Sequence, residues 1–119
     1  MTPFGERLRQ LREARGITLS DLALAVHVSP AYLSALEHGK RGRPSAGLIH
    51  QMNDQFGLIW DDAEELVQLA RISHPRVVVD TAGLSPQATE LANRLARSIR
   101  DLPQDRVAAL LALLESPQD

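Results

Sequence analysis

Residues 17–45 constrain the fold of this chain most, because they hold two short apolar segments that each follow a helix-capping side chain. Thr18 and Ser29 precede these segments, and Pro30 follows Ser29 directly. A hydroxyl at the N-cap accepts a hydrogen bond from an otherwise unpaired backbone N–H, and proline fits the first helical position. Each helix would be only about two turns long, too short to be stable alone. We therefore expect the two helices to pack across a tight turn through Leu22, Ala23, Val26, Val28, Leu33 and Leu36.

The remaining sequence predicts five more helices and no strand-rich domain. Apolar spacing, capping residues and the stops Gly16, Gly39 and Gly57 give the expected ranges. These ranges are about 3–15, 19–26, 30–38, 46–56, 62–72, 86–101 and 103–115. The expected caps outside the central pair are Thr2, Ser45, Asp61 and Ser85, and Trp60 is a candidate core residue.

Composition supports an all-α chain built from aliphatic side chains. Aromatic residues make up only 3% of the 119 residues, and there is no cysteine for a disulfide or a thiolate metal site. We predict a five-helix domain over residues 1–73, an extended linker over 74–84 and a helical segment over 85–119. Val77–Val79 is either an added strand or part of that extended linker.

The net charge of −2 hides an asymmetry between the two ends of the chain. Residues 1–57 carry a formal charge of +2 and residues 58–119 a charge of −4. Lys40, Arg41 and Arg43 lie within four residues of one another, directly after the second helix of the central pair. Clustered cations favour contact with phosphate, so the N-terminal part is the one expected to meet nucleic acid.

Residues 1–73 resemble the Cro/cI-type (XRE family) helix-turn-helix domain of bacterial and phage repressors. The matching residues are Leu8, Leu11, Arg12, Gly16, Thr18, Leu22, Ala23, Val26, Val28, Ser29, Leu33, Ser34, Leu36, Glu37, Gly39, Pro44 and Ser45. The resemblance implies a five-helix domain that places its third helix, residues 30–38, in the major groove of an operator. It also implies a structural ion pair between Arg12 and Glu37.

By the same resemblance, the DNA-contacting residues fall into two groups. Those expected in the groove, near base edges, are Pro30, Ala31, Tyr32, Ser34 and Ala35. Those expected at phosphates are Ser20, His38, Lys40, Arg41 and Arg43.

The sequence departs from the family pattern at several of these positions. Relatives often carry Gln, Asn or Arg at Pro30, Ala31 and Ala35, which here offer apolar contact only, for example to a thymine methyl. Leu19 replaces a phosphate-binding glutamine, and His27 replaces a turn glycine. Either His27 adopts a positive φ, or the turn is altered. DNA shape and half-site spacing are then expected to contribute to sequence choice.

The last two predicted helices carry more apolar surface than a solvent-exposed helix tolerates. We expect this surface to form a homodimer through Leu91, Leu95, Ile99, Val107, Leu110, Leu111 and Leu114. The alternative is packing within one chain against the fifth helix.

Other chemistry has little support in the sequence. His27, His38, His50 and His74 lack metal-ligand spacing, and neither Ser-Pro site forms a nucleophile elbow, so we expect no metal, no cofactor and no enzyme. No apolar run is long enough for a membrane span, and no signal peptide is expected, which favours a cytoplasmic, bacterial or phage-type protein associated with the nucleoid when bound.

The predicted function is a sequence-specific, dimeric transcriptional repressor that binds double-stranded operator DNA. The alternative is an antitoxin-like protein or another protein-interaction module that keeps the same scaffold and binds a protein partner.

Overall fold

The computed structural model describes residues 1–115, which form seven α-helices and no strand. They are α1 (Pro3–Ala14), α2 (Leu19–Ala25), α3 (Pro30–Glu37), α4 (Ala46–Phe56), α5 (Trp60–Arg71), α6 (Pro86–Ser98) and α7 (Gln104–Glu115). The all-α prediction is confirmed. The chain divides into two compact units, the first spanning Met1–Val77 and the second beginning at Val78. No single helix in the described part is long and apolar enough to cross a membrane, although α2 and α3 together, as a bent pair, meet the length and composition criteria.

Hydroxyl side chains begin five of these helices, as the sequence predicts. Each accepts a hydrogen bond from the backbone N–H three residues later, at 3.0–3.1 Å. The five capping residues are Thr2, Thr18, Ser29, Ser45 and Ser85. Local chemistry therefore fixes where most helices start.

Helix α5 begins differently from the prediction. Ile59 occupies its N-cap position without a side-chain hydrogen bond, and Asp61 lies inside the first turn, so the expected Asp61 cap is wrong. Trp60 has a φ of 53° and is 84% exposed, so it is not a core residue either. Asp61 and Asp62 instead place negative charge at the positive end of the helix dipole.

One aliphatic core holds the five helices of the first unit together. Helix α1 packs against α3 and α5, α2 packs against α3, and α4 packs against α5. The buried apolar residues are Phe4, Leu8, Leu11, Leu22, Ala23, Val26, Leu33, Leu36, Leu48, Ile49, Met52, Phe56, Leu66 and Ala70. Val28 is half-buried against this cluster.

The chain bends by 114° between α2 and α3, within the range of a helix-turn-helix. At the turn, the Val28 N–H donates to the Ala23 carbonyl at 3.0 Å, and His27 has a φ of 61°. This is a helix C-terminal motif in which glycine usually occupies the left-handed position. Of the two alternatives from the sequence, the positive φ at His27 is the one found.

The second unit contains α6 and α7, and neither helix contains a buried residue. Residues 77–81 lie outside any helix and form no strand within the described chain. The division into residues 1–73, 74–84 and 85–119 stays a prediction, and residues 116–119 lie outside the described part. Homodimer formation stays a prediction as well.

Candidate nucleic-acid interface

Helix α3 presents one face to the core and another to solvent. Leu33 and Leu36 are fully buried and Glu37 is 3% exposed. On the other side, Pro30 and Ala31 are exposed, whereas Ser34 and Ala35 are half-buried. Four of the five expected groove residues therefore have small side chains, and Ser34 supplies a hydroxyl among them.

The chain leaves the end of α3 in a direction fixed by backbone hydrogen bonds. The Lys40 N–H donates to the Ala35 carbonyl at 3.0 Å, and the Arg41 N–H donates to the same oxygen at 3.2 Å. Gly39 has a φ of 77°, and a Cβ on it would lie 2.9 Å from the Met1 carbonyl carbon. A glycine is therefore required here both by conformation and by close approach. This turn directs the following cations along one end of α3.

Those following cations, Lys40, Arg41 and Arg43, form what we call the basic loop, residues 40–44. All three are exposed, and none takes part in an ion pair among residues 1–115. The basic loop thus offers positive charge that the described chain leaves unneutralised.

All three cations of α1, in contrast, are paired with carboxylates. Arg7 lies 2.8 Å from Glu65, and Arg9 lies 2.9 Å from Glu13. The hydrogen bond to Glu13 raises the pKa of the exposed Arg9 guanidinium. These charges are therefore compensated locally, whereas those of the basic loop are not.

Tyr32 lies beneath one of the loop cations. The Arg41 guanidinium carbon is 5.8 Å from the centroid of the Tyr32 ring, and the ring itself packs partly against the core. A cation over an aromatic face is held there by the ring quadrupole. Tyr32 therefore anchors Arg41 at the edge of α3.

A cleft of about 440 Å³ separates the α2–α3 turn from the start of α4. Its lining includes His27, Tyr32, Arg43 and Gln51. This cleft brings Arg43 next to the groove-facing helix, and it adds Gln51, which sequence reasoning did not single out. Because Gln51 lies on α4, beyond the central helix pair and the basic loop, its position along the chain gave no signal.

His38 is the C-cap of α3, and its exposed side chain contacts the preceding turn of the same helix. Its Nδ1 atom lies 2.8 Å from the Ser34 carbonyl and 3.3 Å from the Ser34 hydroxyl. Since a carbonyl only accepts, Nδ1 carries a proton. A neutral His38 thus presents Nε2 as an acceptor, whereas a protonated ring presents an N–H suited to phosphate.

Ser20 and Leu19 are neighbours in sequence but differ in burial. Ser20 is exposed in the first turn of α2, where Thr18 already accepts from the Asp21 N–H. Leu19 is half-buried against the core cluster. The position at which relatives carry a phosphate-binding glutamine therefore serves packing in this chain.

Arg12 and Glu37 form a bidentate ion pair that joins the ends of α1 and α3. Arg12 Nε and Nη2 lie 3.0 and 3.1 Å from the two Glu37 carboxylate oxygens. Arg12 Nη1 also donates to the Ile17 carbonyl at 3.1 Å. This network fixes the α3 end from which the basic loop departs.

The chain after α5 also reaches the basic loop, which the sequence did not predict. Arg43 Nε donates to His74 Nδ1 at 3.2 Å, and Arg76 Nη1 donates to the Lys40 carbonyl at 3.4 Å. These pairs are separated by 31 and 36 residues, so no local pattern could have indicated them.

Comparison with known proteins identifies the family of residues 3–72. Residues 3–72 match the family described as "Helix-turn-helix domain". The uncharacterised HTH-type transcriptional regulator RghRB of Bacillus subtilis is 44% identical over 52 residues, covering 44% of this chain and 37% of that protein. The HTH-type transcriptional repressor RghR of the same organism is 46% identical over 61 residues, covering 51% and 45%. The HTH-type transcriptional regulator DdrOP3 of Deinococcus deserti is 41% identical over 63 residues, covering 53% and 48%.

The matched stretch spans less than half the length of each of these three relatives. Among solved structures, a chain of the SinR protein/SinI protein complex aligns over 94% of both chains, with 20% identity and a TM-score of 0.47. The match over residues 3–72 covers more than half of the chain. The chain belongs to the helix-turn-helix domain family, as a member of its XRE type.

Proposed function

We propose that this protein is a sequence-specific DNA-binding transcriptional regulator that inserts α3 into the major groove. One observation carries the proposal: three exposed cations, none in an ion pair within residues 1–115, directly follow a helix whose outer face carries the small side chains of residues 30, 31, 34 and 35. Small side chains let the helix approach the base edges closely, and the cations then lie beside the sugar-phosphate backbone. The three similar proteins named as HTH-type regulators support the same function.

Affinity is expected to come mainly from phosphate contacts. Lys40, Arg41 and Arg43 supply the charge, and Ser20 and His38 supply polar groups at the two sides of the helix pair. Each neutralised phosphate releases condensed counterions, so binding weakens steeply as salt rises.

Base recognition is expected to be sparse. Pro30, Ala31 and Ala35 have no hydrogen-bonding side chain and can only contact apolar groups such as the thymine methyl. Ser34 is the polar candidate on this face, and Tyr32 lies at its edge beneath Arg41. DNA shape and the spacing of two half-sites then supply the remaining specificity.

We infer that the protein acts as a homodimer, because one copy makes few base contacts and because the second unit exposes apolar side chains. Leu91 on α6 and Leu111 on α7 are 64% and 53% exposed. The other apolar side chains proposed for the interface are Leu95, Ile99, Val107, Leu110 and Leu114. A second copy of the chain would cover this surface and place two α3 helices on repeated half-sites.

The mode of action we propose is repression by occupancy of the operator. RghR, which matches 51% of this chain, is named a repressor. An operator-binding protein of this type acts where the chromosome lies, so we place it in the cytoplasm, associated with the nucleoid when bound.

A salt titration tests DNA binding directly. The protein is titrated against a labelled mixed-sequence duplex of about 20 base pairs, roughly two helical turns, at several salt concentrations. The variant Lys40→Gln/Arg41→Gln/Arg43→Gln should reduce the slope of log affinity on log salt by roughly 2.7. The variant Arg94→Gln/Arg97→Gln/Arg100→Gln makes the same charge change in the second unit and should leave the slope near the wild-type value.

A second candidate function is an antitoxin-like or other protein-interaction module. The apolar groups at Pro30, Ala31 and Ala35 favour it, because they suit a protein surface as well as a thymine methyl. Binding that is absent at micromolar protein, or that does not weaken with salt, would favour this candidate over DNA recognition.

A further inference from the structure

We propose that the segment after α5, residues 73–76, is part of the DNA-binding surface, with Arg76 as a fourth phosphate-contacting cation. The inference rests on the proposed function of the basic loop and adds a residue more than thirty positions away in sequence.

The segment and the basic loop are packed backbone against backbone. A Cβ on Gly42 would lie 1.8 Å from the Ser73 carbonyl oxygen and 2.8 Å from Cδ of Pro75. No other residue fits at Gly42 without a backbone shift, since both neighbours are rigid groups. The loop and the segment are therefore packed in direct contact, as one piece of the surface.

Ser73 connects this piece to the core. Its side chain is 2% exposed, accepts a hydrogen bond from the Phe4 N–H at 2.9 Å and donates to the Leu69 carbonyl. A buried hydroxyl with both roles satisfied is costly to displace. The position of residues 73–76 is consequently set by α1 and α5, and the segment can hold the loop in place.

Arg76 and His74 then contribute side chains to the loop. The Arg76 guanidinium donates to the Lys40 carbonyl at 3.4 Å, so its charge lies beside the loop backbone. His74 accepts from Arg43 Nε at 3.2 Å, which leaves the two terminal Arg43 nitrogens for a phosphate. Arg76 takes part in no ion pair among residues 1–115. The basic loop and the segment packed against it thus bring four cations together.

The test compares single charge removals in the full chain. Arg76→Gln and Arg43→Gln are each titrated against the same mixed-sequence duplex over a range of salt. Arg97→Gln, in the second unit, is the matched control. Each of the first two variants should reduce the salt slope by about 0.9 and weaken binding about eightfold near 0.1 M salt. Arg76→Lys should retain most of the slope, because it keeps the charge.

The outcomes separate this inference from the proposed function. If Arg43→Gln reduces the slope and Arg76→Gln matches the control, Arg76 contacts no phosphate and only the inference is overturned. An Arg76→Gln variant that binds more weakly with an unchanged slope also overturns it, since the residue would then only position the loop. If neither variant differs from Arg97→Gln, the proposed phosphate contact by the basic loop is wrong, and the inference fails with it.

Discussion

His27 occupies a left-handed backbone position in the turn between α2 and α3, where a side chain costs about 1 kcal/mol relative to glycine. The hydrogen bond from Val28 to Ala23 requires that conformation, so the strain is built into the turn. The side chain lies on the cleft shared with Tyr32 and Arg43. His27 therefore combines a strained backbone with a position at the candidate interface.

We therefore expect His27→Gly to raise the free energy of unfolding by about 1 kcal/mol. Urea denaturation followed by circular dichroism measures this difference. His27→Ala is the control, because it removes the imidazole and keeps the strained Cβ. If the glycine variant is no more stable than the alanine variant, backbone strain at residue 27 does not lower the free energy of unfolding.

Arg12 and Glu37 make an asymmetric pair, because Glu37 is the more deeply buried partner. Their side chains are 16% and 3% exposed. Arg12→Met leaves a buried carboxylate without its partner, which should cost about 3–5 kcal/mol. Glu37→Met leaves Arg12 with its bond to the Ile17 carbonyl and should cost less.

Thermal unfolding of the two single variants and of Arg12→Met/Glu37→Met measures this difference. The double variant should be more stable than Arg12→Met alone, since no buried charge remains unpaired. Equal losses in the two single variants, with simple addition in the double, would contradict a coupled buried pair.

At the scale of the helix, Tyr32 is expected to act through Arg41. Tyr32→Phe keeps the ring beneath the guanidinium and should change DNA affinity by less than about twofold. Tyr32→Leu keeps apolar packing but removes the ring face, and should weaken binding about two- to fivefold. Fluorescence anisotropy with a labelled duplex distinguishes the two. A phenylalanine variant as weak as the leucine variant would show that the hydroxyl itself contacts DNA.

Helix boundaries were predictable where one side chain decides them. Thr18 and Ser29 cap α2 and α3 by bonding to backbone three residues away, an interaction set within one turn. The start of α5 escaped prediction because Trp60 begins the helix in a left-handed conformation that no propensity favours. The acidic run that suggested a cap at Asp61 lies in the first turn instead.

Two parts of the candidate site, the outer face of α3 and the basic loop, could be predicted from the sequence. The contribution of residues 73–76 could not. Lys40, Arg41 and Arg43 follow a recognisable helix pair, so chain order alone locates them. His74 and Arg76 approach the loop only because α1 and α5 pack together and return the chain to Gly42. Such contacts depend on tertiary packing, which a local pattern does not encode.

At the scale of the whole molecule, the proposed repressor contains two copies of the chain. Leu95 on α6 and Ile99 at its C-cap are 39% and 48% exposed, and lie one turn apart. Leu95→Glu/Ile99→Glu should therefore dissociate the dimer without unfolding the first unit, because neither residue belongs to its core. Sedimentation velocity measures the change.

Arg97→Glu is the control for that variant, since residue 97 lies on the opposite side of α6 from Leu95 and Ile99 by helical spacing. It should remain dimeric. A wild-type protein that sediments as a monomer at tens of micromolar would contradict the homodimer, and a dimeric double variant would place the interface elsewhere.

Sequence-specific recognition through α3 is the central claim, and selection of bound sites from random double-stranded DNA tests it most directly. We predict enrichment of two related half-sites whose centres are about 10 base pairs apart, or a multiple of that spacing. Ser34→Ala should change the preferred bases within each half-site while the spacing persists. A bound pool indistinguishable from the input DNA would contradict the claim.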